Sequence, residues 1–158
     1  MNTAQINTKI IDFPLPATNG KNINLADLQG QIIVLYFYPK DNTPGCTTEG
    51  NDFKTFYNDF LAENAVVLGI SRDTLQQHDN FKRKYNFPFE LLSDKEEKLC
   101  HFFDVIKEKN MYGKKVMGIE RSTFLIDSNG ILRKEWRKVK IDGHVEQVLK
   151  AVKTLNQS

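Results

Sequence analysis

Cys46 is the residue of this sequence that is best placed to do chemistry. It follows a turn-rich segment, residues 39–45, and precedes a long helical pattern, so the sequence predicts that it lies at a helix N-terminus. The unpaired N–H groups and the positive dipole end at such a position favour an anion. The thiolate is that anion, and it is the nucleophilic form of cysteine. A small buried apolar residue is the alternative interpretation, but the position at a helix start favours chemistry.

Three further side chains are candidates for the same site. Thr43 lies three residues before Cys46, where its hydroxyl could reach the sulfur or the atom that the sulfur attacks. Arg121 directly precedes an apolar strand pattern and is the candidate cation that would hold the developing charge. A solvated strand end is the equally weighted alternative for this arginine. Glu49 lies one helical turn after Cys46, where it is either an ordinary first-turn acid or a residue that orients the arginine.

Other kinds of site find less support in the residues. Position 43 is threonine and position 49 is glutamate, so Cys46 is not part of a C-x-x-C motif, which argues against a disulfide exchanger of the thioredoxin type. The three histidines, His78, His101 and His144, show no metal-ligand spacing, and we expect neither a metal nor a cofactor. His144 is expected at the start of the last helix. A Cys–His hydrolase stays open, because its histidine can be remote in sequence, but no nucleophile-elbow motif supports it.

The composition is ordinary for a soluble protein. The chain has 158 residues, 40% hydrophobic and 27% charged, which predicts one domain spanning 1–158 with an adequate core. A net charge of +2 gives no support for nucleic-acid binding, and residues 133–138 are interpreted as a solvated strand face. No apolar run approaches the ~20 residues of a membrane helix, and residues 1–9 lack an apolar secretory segment. Two cysteines are too few for a disulfide scaffold, so we expect reduced thiols and a cytoplasmic location.

Apolar patterns and turn residues predict the elements that must position Cys46. The predicted elements are, in chain order, a hairpin at 13–25 with its turn at Asn19-Gly20, a strand at 32–38, a helix after Cys46, a strand at 65–70, a helix from 71–74 to Pro88, a strand at 89–92, a helix, strands at 122–126 and 131–140, and a C-terminal helix. Ser93 and Glu96 fit a capping box that would start the helix after 89–92. Residues 107–120 are predicted to form an exposed loop or a frayed hairpin. This alternation predicts an α/β fold with a mixed central sheet, helices on both faces and an N-terminal hairpin.

Residues 36–49, YFYPKDNTPGCTTE, resemble the peroxiredoxins, and closely the peroxiredoxin Q group, also called bacterioferritin comigratory protein. The shared pattern is Pro-x-x-x-Thr-x-x-Cys, which Pro39, Thr43 and Cys46 meet. The resemblance covers essentially the whole chain, residues 13–155. Further landmarks follow the motif in order: Leu68-Gly69-Ile70-Ser71, Leu91-Leu92-Ser93-Asp94, the segment 121–127 and Gly143-His144.

The resemblance implies a thioredoxin-like fold and a thiol peroxidase activity. Cys46 would be the peroxidatic cysteine, whose thiolate attacks one oxygen of a hydroperoxide while the other oxygen leaves as water or alcohol. Thr43 and the backbone N–H of Cys46 would bind the peroxide oxygens. Arg121 would stabilise the thiolate and the transition state, and Pro39 would shield the sulfenic acid from solvent. The resemblance thereby decides between the two interpretations of Arg121.

One position departs from the family pattern. Many members carry a resolving cysteine five residues after the peroxidatic one, and this chain has Asn51 there. Cys100 is the only other cysteine, and the apolar residues beside it predict a buried structural role. We therefore expect a one-cysteine cycle, in which an external thiol reduces the sulfenic acid, with an intramolecular Cys46–Cys100 disulfide as the alternative. Without fast internal resolution, Cys46 should also be prone to overoxidation to sulfinic acid.

The expected partners are a hydroperoxide and a thiol reductant. The resemblance leaves thioredoxin, glutaredoxin and a small thiol as reductants, and it implies a monomer. A second hypothesis is a binding or chaperone module that has kept the thioredoxin fold and lost the cycle. Thr43, Cys46 and Arg121 favour the enzyme, and Asn51 is the one point in favour of the module.

Overall fold

The computed structural model describes residues 3–11 and 13–157, and its elements follow the predicted alternation of strands and helices. In chain order they are β1 (Leu15–Pro16), β2 (Asn22–Ile23), a 3-10 turn (Leu25–Leu28), β3 (Ile32–Phe37), α1 (Pro44–Thr55), α2 (Tyr57–Ala62), β4 (Ala65–Ser71), α3 (Leu75–Tyr85), β5 (Glu90–Ser93), α4 (Lys98–Phe102), β6 (Ile106–Met111), β7 (Lys114–Ile119), β8 (Ser122–Ile126), β9 (Leu132–Trp136) and α5 (His144–Asn156). No helix within the described residues is long and apolar enough to cross a membrane.

β3 is the central strand of a five-stranded sheet with the order β5-β4-β3-β8-β9. β3, β4 and β5 are parallel, whereas β8 runs antiparallel to β3 and β9 runs antiparallel to β8. Every residue of β3 and of β8 is buried, as is typical of apolar strands that are covered on both faces. The predicted mixed sheet is therefore confirmed. β1 and β2 pair as the predicted N-terminal hairpin.

The side chains of β3 alternate between two apolar clusters on opposite faces of the sheet. Its odd-numbered residues, such as Phe37, belong to the cluster that the N-terminal segment and α4 cover. Its even-numbered residues, such as Tyr36, belong to the cluster that includes side chains of α1, α2, α3 and α5. The predicted placement of helices on both faces is confirmed.

The predicted capping box at Ser93 and Glu96 is wrong. α4 begins only at Lys98, whose N–H donates to the Asp94 carboxylate at 2.9 Å. Asp94 therefore takes the capping role. Ser93 is the last residue of β5, and its hydroxyl is committed to the Asp73 carbonyl at 2.6 Å, so it is not free to cap a helix.

Three other segments refine the predicted elements. The helix after Cys46 is divided into α1 and α2, with Phe56 between them. The returning strand predicted at 131–140 is shorter, because β9 ends at Trp136. Residues 107–120 form the hairpin of β6 and β7, so the hairpin was the correct alternative for that segment.

Gly69 of β4 lies where the sheet leaves no room for a Cβ atom. A Cβ built on Gly69 would lie 2.8 Å from Leu91 Cδ2 and 2.9 Å from Tyr36 Cζ. Because both neighbours are buried and would have to shift, Gly69→Ala should lower the free energy of unfolding by about 1–3 kcal/mol in a urea titration. Gly118→Ala is the matched control, since the atoms nearest to its Cβ belong to the flexible side chain of Lys109, the first of them at 3.3 Å. Equal free energies of unfolding in the two variants would contradict the prediction.

Candidate active site

Cys46 lies in the first turn of α1, as the sequence predicts. Pro44 is the first residue of this helix, where the fixed φ of proline favours a helical start. Thr43 before it has an extended backbone (φ −87°, ψ 153°), and its carbonyl accepts the Thr47 N–H at 2.9 Å. The N–H groups of the first helical turn have no partner inside the helix. The Cys46 thiol, which is 2% exposed, is therefore buried at the helix end that favours an anion.

Arg121 reaches α1 from the residue before β8. Its Nη2 donates to Cys46 Sγ at 3.3 Å, and its Nη1 donates to Glu49 Oε1 at 2.6 Å. The side chain is 15% exposed, so Arg121 is not a solvated strand end. Burial by itself lowers the pKa of Arg121, but the negative charges of Glu49 and Cys46 outweigh burial and the pKa is raised. One guanidinium group thus contacts both the thiol and a carboxyl group.

Gly45 leaves the space that this guanidinium group occupies. A Cβ built on Gly45 would lie 3.2 Å from Arg121 Nη2 and 3.3 Å from Ile141 Cδ1. A side chain at this position would therefore push Arg121 away from Cys46. The sequence does not predict this role, and its one signal there is the presence of glycine directly before the candidate nucleophile.

Glu49 is fully buried and is not a solvated first-turn acid. Its Oε1 accepts from Arg121, whereas its Oε2 has no hydrogen-bond partner among the described residues. Burial raises the pKa of Glu49 to about 7, and the positive charge of Arg121 only partly offsets the effect of burial. The carboxyl group therefore titrates in the neutral range.

Thr43 and Pro39 lie in the loop between β3 and α1. The Thr43 hydroxyl donates to the Lys40 carbonyl at 2.7 Å and makes no capping hydrogen bond to the helix. The hydroxyl proton of Thr43 is therefore used in this hydrogen bond, while the lone pairs of its oxygen can still accept another one. Pro39 is half-buried. Both residues belong to the loop that leads into the helix of Cys46.

Cys100 lies apart from this group. It is fully buried in α4 and belongs to the apolar cluster on one face of the sheet, whereas Cys46 belongs to the cluster on the other face. Both cysteines are free. Burial, followed by the negative charge of Asp94, raises the pKa of the Cys100 thiol far above its usual range, so this thiol stays protonated.

Asp41 and His78 form a buried pair beside the same loop, which no pattern in the sequence predicts. Asp41 Oδ2 lies 2.6 Å from His78 Nδ1, and Asp41 Oδ1 accepts the Tyr38 hydroxyl at 2.7 Å. The two partners are 37 residues apart in sequence, which no local pattern connects. The one available signal is the position of Asp41 inside the turn-rich segment before Cys46.

His144 is the first residue of α5, where the sequence predicts it. It is buried, its Nε2 lies 2.8 Å from Thr123 Oγ1, and its ring meets Trp136 edge-on. Burial lowers the pKa of His144 to about 4, with a further contribution from the positive charge of Arg121. The ring is therefore neutral at neutral pH and adds no second cation to the site.

A thiolate is a nucleophile, and both the helix start and the Arg121 guanidinium group favour the thiolate form of Cys46, so the site is that of an enzyme that reacts through its thiol. Comparison with known families makes this class more specific. The model of the AhpC/TSA family matches residues 6–135, and the chain belongs to this family.

Individual relatives are similar over nearly the whole chain. Peroxiredoxin Bcp of Bacillus subtilis is 50% identical over 155 residues, which cover 98% of this chain and 99% of the relative. The bacterioferritin comigratory protein of Xanthomonas campestris, studied for its alkyl peroxide reduction activity, matches with a TM-score of 0.87 and 51% identity, covering 91% of this chain and 92% of that one. A cysteine-to-serine mutant of PrxQ from Xylella fastidiosa matches with a TM-score of 0.91 and 45% identity, covering 98% of each chain.

The comparisons confirm three expectations from the sequence: the resemblance to the peroxiredoxin Q group, the thioredoxin-like fold and the thiol peroxidase activity. The protein is a thiol-dependent peroxidase, so a peroxide is its substrate and a thiol its reductant.

Glu49 makes the stability of the protein depend on pH. Its pKa is about 7 in the folded state against a usual value of 4.5, so between these values the folded state binds more protons and the carboxyl group's contribution to stability declines as pH rises. The free energy of unfolding of Glu49→Gln minus that of the wild type should therefore increase with pH from about 4.5 to about 7 and then level off. Urea titrations across this range measure it. Glu96→Gln, whose native side chain is 79% exposed, is the control and should show no such trend; a flat difference for Glu49→Gln would refute the prediction.

Proposed function

We propose that the chain reduces hydrogen peroxide and alkyl hydroperoxides through the thiolate of Cys46, in a cycle that uses one cysteine and an external thiol. The contact between Arg121 Nη2 and Cys46 Sγ, at 3.3 Å in the first turn of α1, is the observation that carries this proposal. It gives the thiolate a cation that cannot lose its charge under ordinary conditions.

The attack step moves negative charge from sulfur to oxygen. The thiolate attacks the terminal oxygen of the hydroperoxide, an S–O bond forms, the O–O bond breaks, and the leaving oxygen takes up a proton to become water or alcohol. Arg121 and the backbone N–H of Cys46 stabilise the charge on both sides of this step, as donors fixed before the reaction do. The Thr43 oxygen, whose own proton is held by Lys40, accepts the peroxide O–H and orients the substrate. Pro39, half-buried in the same loop, shields the resulting sulfenic acid.

The return step uses a thiol from outside the chain. Asn51 stands where many family members have a resolving cysteine, and Cys100 is buried in the cluster on the other face of the sheet. An external thiol therefore attacks the sulfenic acid and releases water, and a second thiol equivalent then frees Cys46 from the mixed disulfide. Thioredoxin, glutaredoxin and a small thiol are the candidate reductants. A slow return step also leaves the sulfenic acid open to a second peroxide, which oxidises it to sulfinic acid.

We also propose that the protein is a single-domain cytoplasmic monomer. Both cysteines are free, as is usual in a reducing compartment. Arg121 contacts both Cys46 and Glu49 within one chain, so this group of residues needs none from a second copy.

The proposed cycle predicts opposite results for the two cysteines. In stopped-flow measurements of peroxide consumption with excess dithiothreitol, Cys46→Ser should fall to the uncatalysed rate, because it lacks the nucleophile. Cys100→Ser should keep the wild-type rate, because Cys100 takes no part in either step. A wild type no faster than Cys46→Ser would refute the peroxidase role of Cys46.

Mass spectrometry separates the one-cysteine cycle from its alternative. After one equivalent of peroxide without reductant, the wild type should carry a dimedone adduct on Cys46 and no internal disulfide. A Cys46–Cys100 disulfide would overturn the one-cysteine cycle and leave the peroxidase role of Cys46 standing. Cys100→Ser is the matched control, since it can form the adduct and not the disulfide.

A further inference from the structure

A buried polar cluster, to which the proposed cycle gives no role, anchors the loop before Cys46. His78 of α3 is 0% exposed and Asp41 is 7% exposed. His78 Nδ1 lies 2.6 Å from Asp41 Oδ2, and His78 Nε2 lies 2.9 Å from the Leu92 carbonyl of β5. The Tyr38 hydroxyl donates to the other Asp41 oxygen at 2.7 Å. Both oxygens of this carboxyl group are therefore engaged.

The hydrogen bonds of His78 require a proton between this ring and Asp41. A carbonyl can only accept, so Nε2 donates to Leu92, and a neutral imidazole has no second N–H. Nδ1 and Asp41 Oδ2 would then be two acceptors at 2.6 Å unless a proton lies between them. A buried pair of this kind is a strong geometric constraint, because removal of one partner leaves the other unpaired and away from water.

The backbone of Asp41 is tied to the central sheet as well. Its N–H donates to Asp73 Oδ2 at 2.9 Å, and the same oxygen accepts the Ser71 hydroxyl at 2.5 Å. The Asp73 carbonyl accepts the Ser93 hydroxyl at 2.6 Å. Ser71 and Ser93 are the last residues of the neighbouring strands β4 and β5. The loop is thereby fixed to the carboxyl ends of two rigid strands.

The hydrogen-bonded Asp41 is connected to Thr43 through the neighbouring residue Lys40. Asp41 follows Lys40, whose carbonyl accepts the Thr43 hydroxyl at 2.7 Å. Asn42 has a φ of 62°, in the left-handed region that asparagine adopts more readily than most other residues. The direction of the Lys40 carbonyl, and with it that of the free lone pairs on Thr43, depends on how Asp41 is held.

We propose that Asp41 and His78 are positioning residues of the peroxidase: the buried pair holds the loop so that the Thr43 oxygen faces the bound peroxide. The proposal rests on the proposed function, because the peroxide is the ligand that Thr43 would orient. One ligand-type atom from each of Asp41, Asp73 and His78 lies within 4.8 Å of the others. Hydrogen bonds engage both carboxylate oxygens of Asp41, Asp73 Oδ2 and His78 Nδ1, and these are the bonds that hold the loop.

Asp41→Asn separates the geometry of the pair from its shared proton. Asparagine can accept the Tyr38 hydroxyl through its oxygen and donate through its amide nitrogen to the neutral ring of His78, so every contact is kept. Asp41→Ala and His78→Ala remove the contacts. We expect Asp41→Asn to consume peroxide at nearly the wild-type rate, and the two alanine variants to be slower by about tenfold or more, because misplaced orienting groups cost rate.

Alkylation of Cys46 by iodoacetamide is the second readout. It needs the thiolate and the Arg121 contact but no oriented peroxide, so its rate should equal that of the wild type in all three variants. A residue needed only for folding would give a different result. Its substitution would lower the rates of alkylation and of peroxide consumption together, or would leave both rates unchanged. Should His78→Ala fail to fold, Tyr38→Phe removes one hydrogen bond of Asp41 and should likewise slow peroxide consumption alone.

His101→Ala is the matched control, since its side chain is 68% exposed, and it should behave as the wild type in both assays. The proposal is overturned if Asp41→Ala consumes peroxide at the wild-type rate, if Asp41→Asn is as slow as Asp41→Ala, or if alkylation falls in parallel with peroxide consumption. Failure of the proposed function has a different signature, because the wild type itself would then show no Cys46-dependent peroxide consumption.

Discussion

The site depends on how one guanidinium group divides its charge between two buried acidic groups. Arg121 contacts Cys46 through one nitrogen and Glu49 through another, at 3.3 and 2.6 Å. Charges in such a buried setting are screened less than in water. While Glu49 is protonated, the positive charge of Arg121 stabilises the Cys46 thiolate alone. Once Glu49 ionises, the same charge interacts with both the thiolate and the carboxylate. Because the pKa of Glu49 is raised to about 7, this division changes within the neutral range.

The sheet brings these groups together through its register. Phe37 at the end of β3 pairs with Ser122 at the start of antiparallel β8, so Arg121, one residue earlier, lies where the loop to α1 leaves the sheet. Gly45 then leaves space for the guanidinium group beside the first turn of the helix. The two apolar clusters on the faces of the sheet hold the strands in this arrangement. The contact between Arg121 and Cys46 thus depends on the pairing of β3 with β8 at the centre of the sheet.

The features that could be predicted are those that residues adjacent in the chain determine. The features that could not be predicted depend on which elements pack together. The helix start at Cys46 follows from a buried strand, turn residues and a helical pattern, all adjacent in the chain. Arg121 lies 75 residues away, so the residues alone left two interpretations of equal weight, and the family resemblance was needed to choose. Two features depend on which elements meet in space: Glu49 Oε2, which has no hydrogen-bond partner among the described residues, and the Asp41–His78 pair.

The capping of α4 shows the same limit at the level of the fold. Ser93 and Glu96 match a capping pattern, but Ser93 is needed at the end of β5 to bind the Asp73 carbonyl, and Asp94 caps the helix instead. The local capping pattern was therefore wrong because Ser93 makes a tertiary hydrogen bond instead. The position of Cys100 is a second case. Its apolar neighbours predict burial, but only the sheet shows that it faces away from Cys46.

The role of the Arg121 contact can be measured through the second-order rate constant for the reaction of Cys46 with peroxide, compared between the wild type and Arg121→Gln. If the guanidinium contact stabilises the sulfur and the transition state, Arg121→Gln should be slower by about 100-fold or more, the usual cost of removing one fixed donor of this kind. Arg133→Gln, which alters an arginine on β9 that pairs with Asp127 instead, should leave the rate constant unchanged. A rate constant for Arg121→Gln equal to that of the wild type would show that the guanidinium contact does not stabilise the sulfur or the transition state.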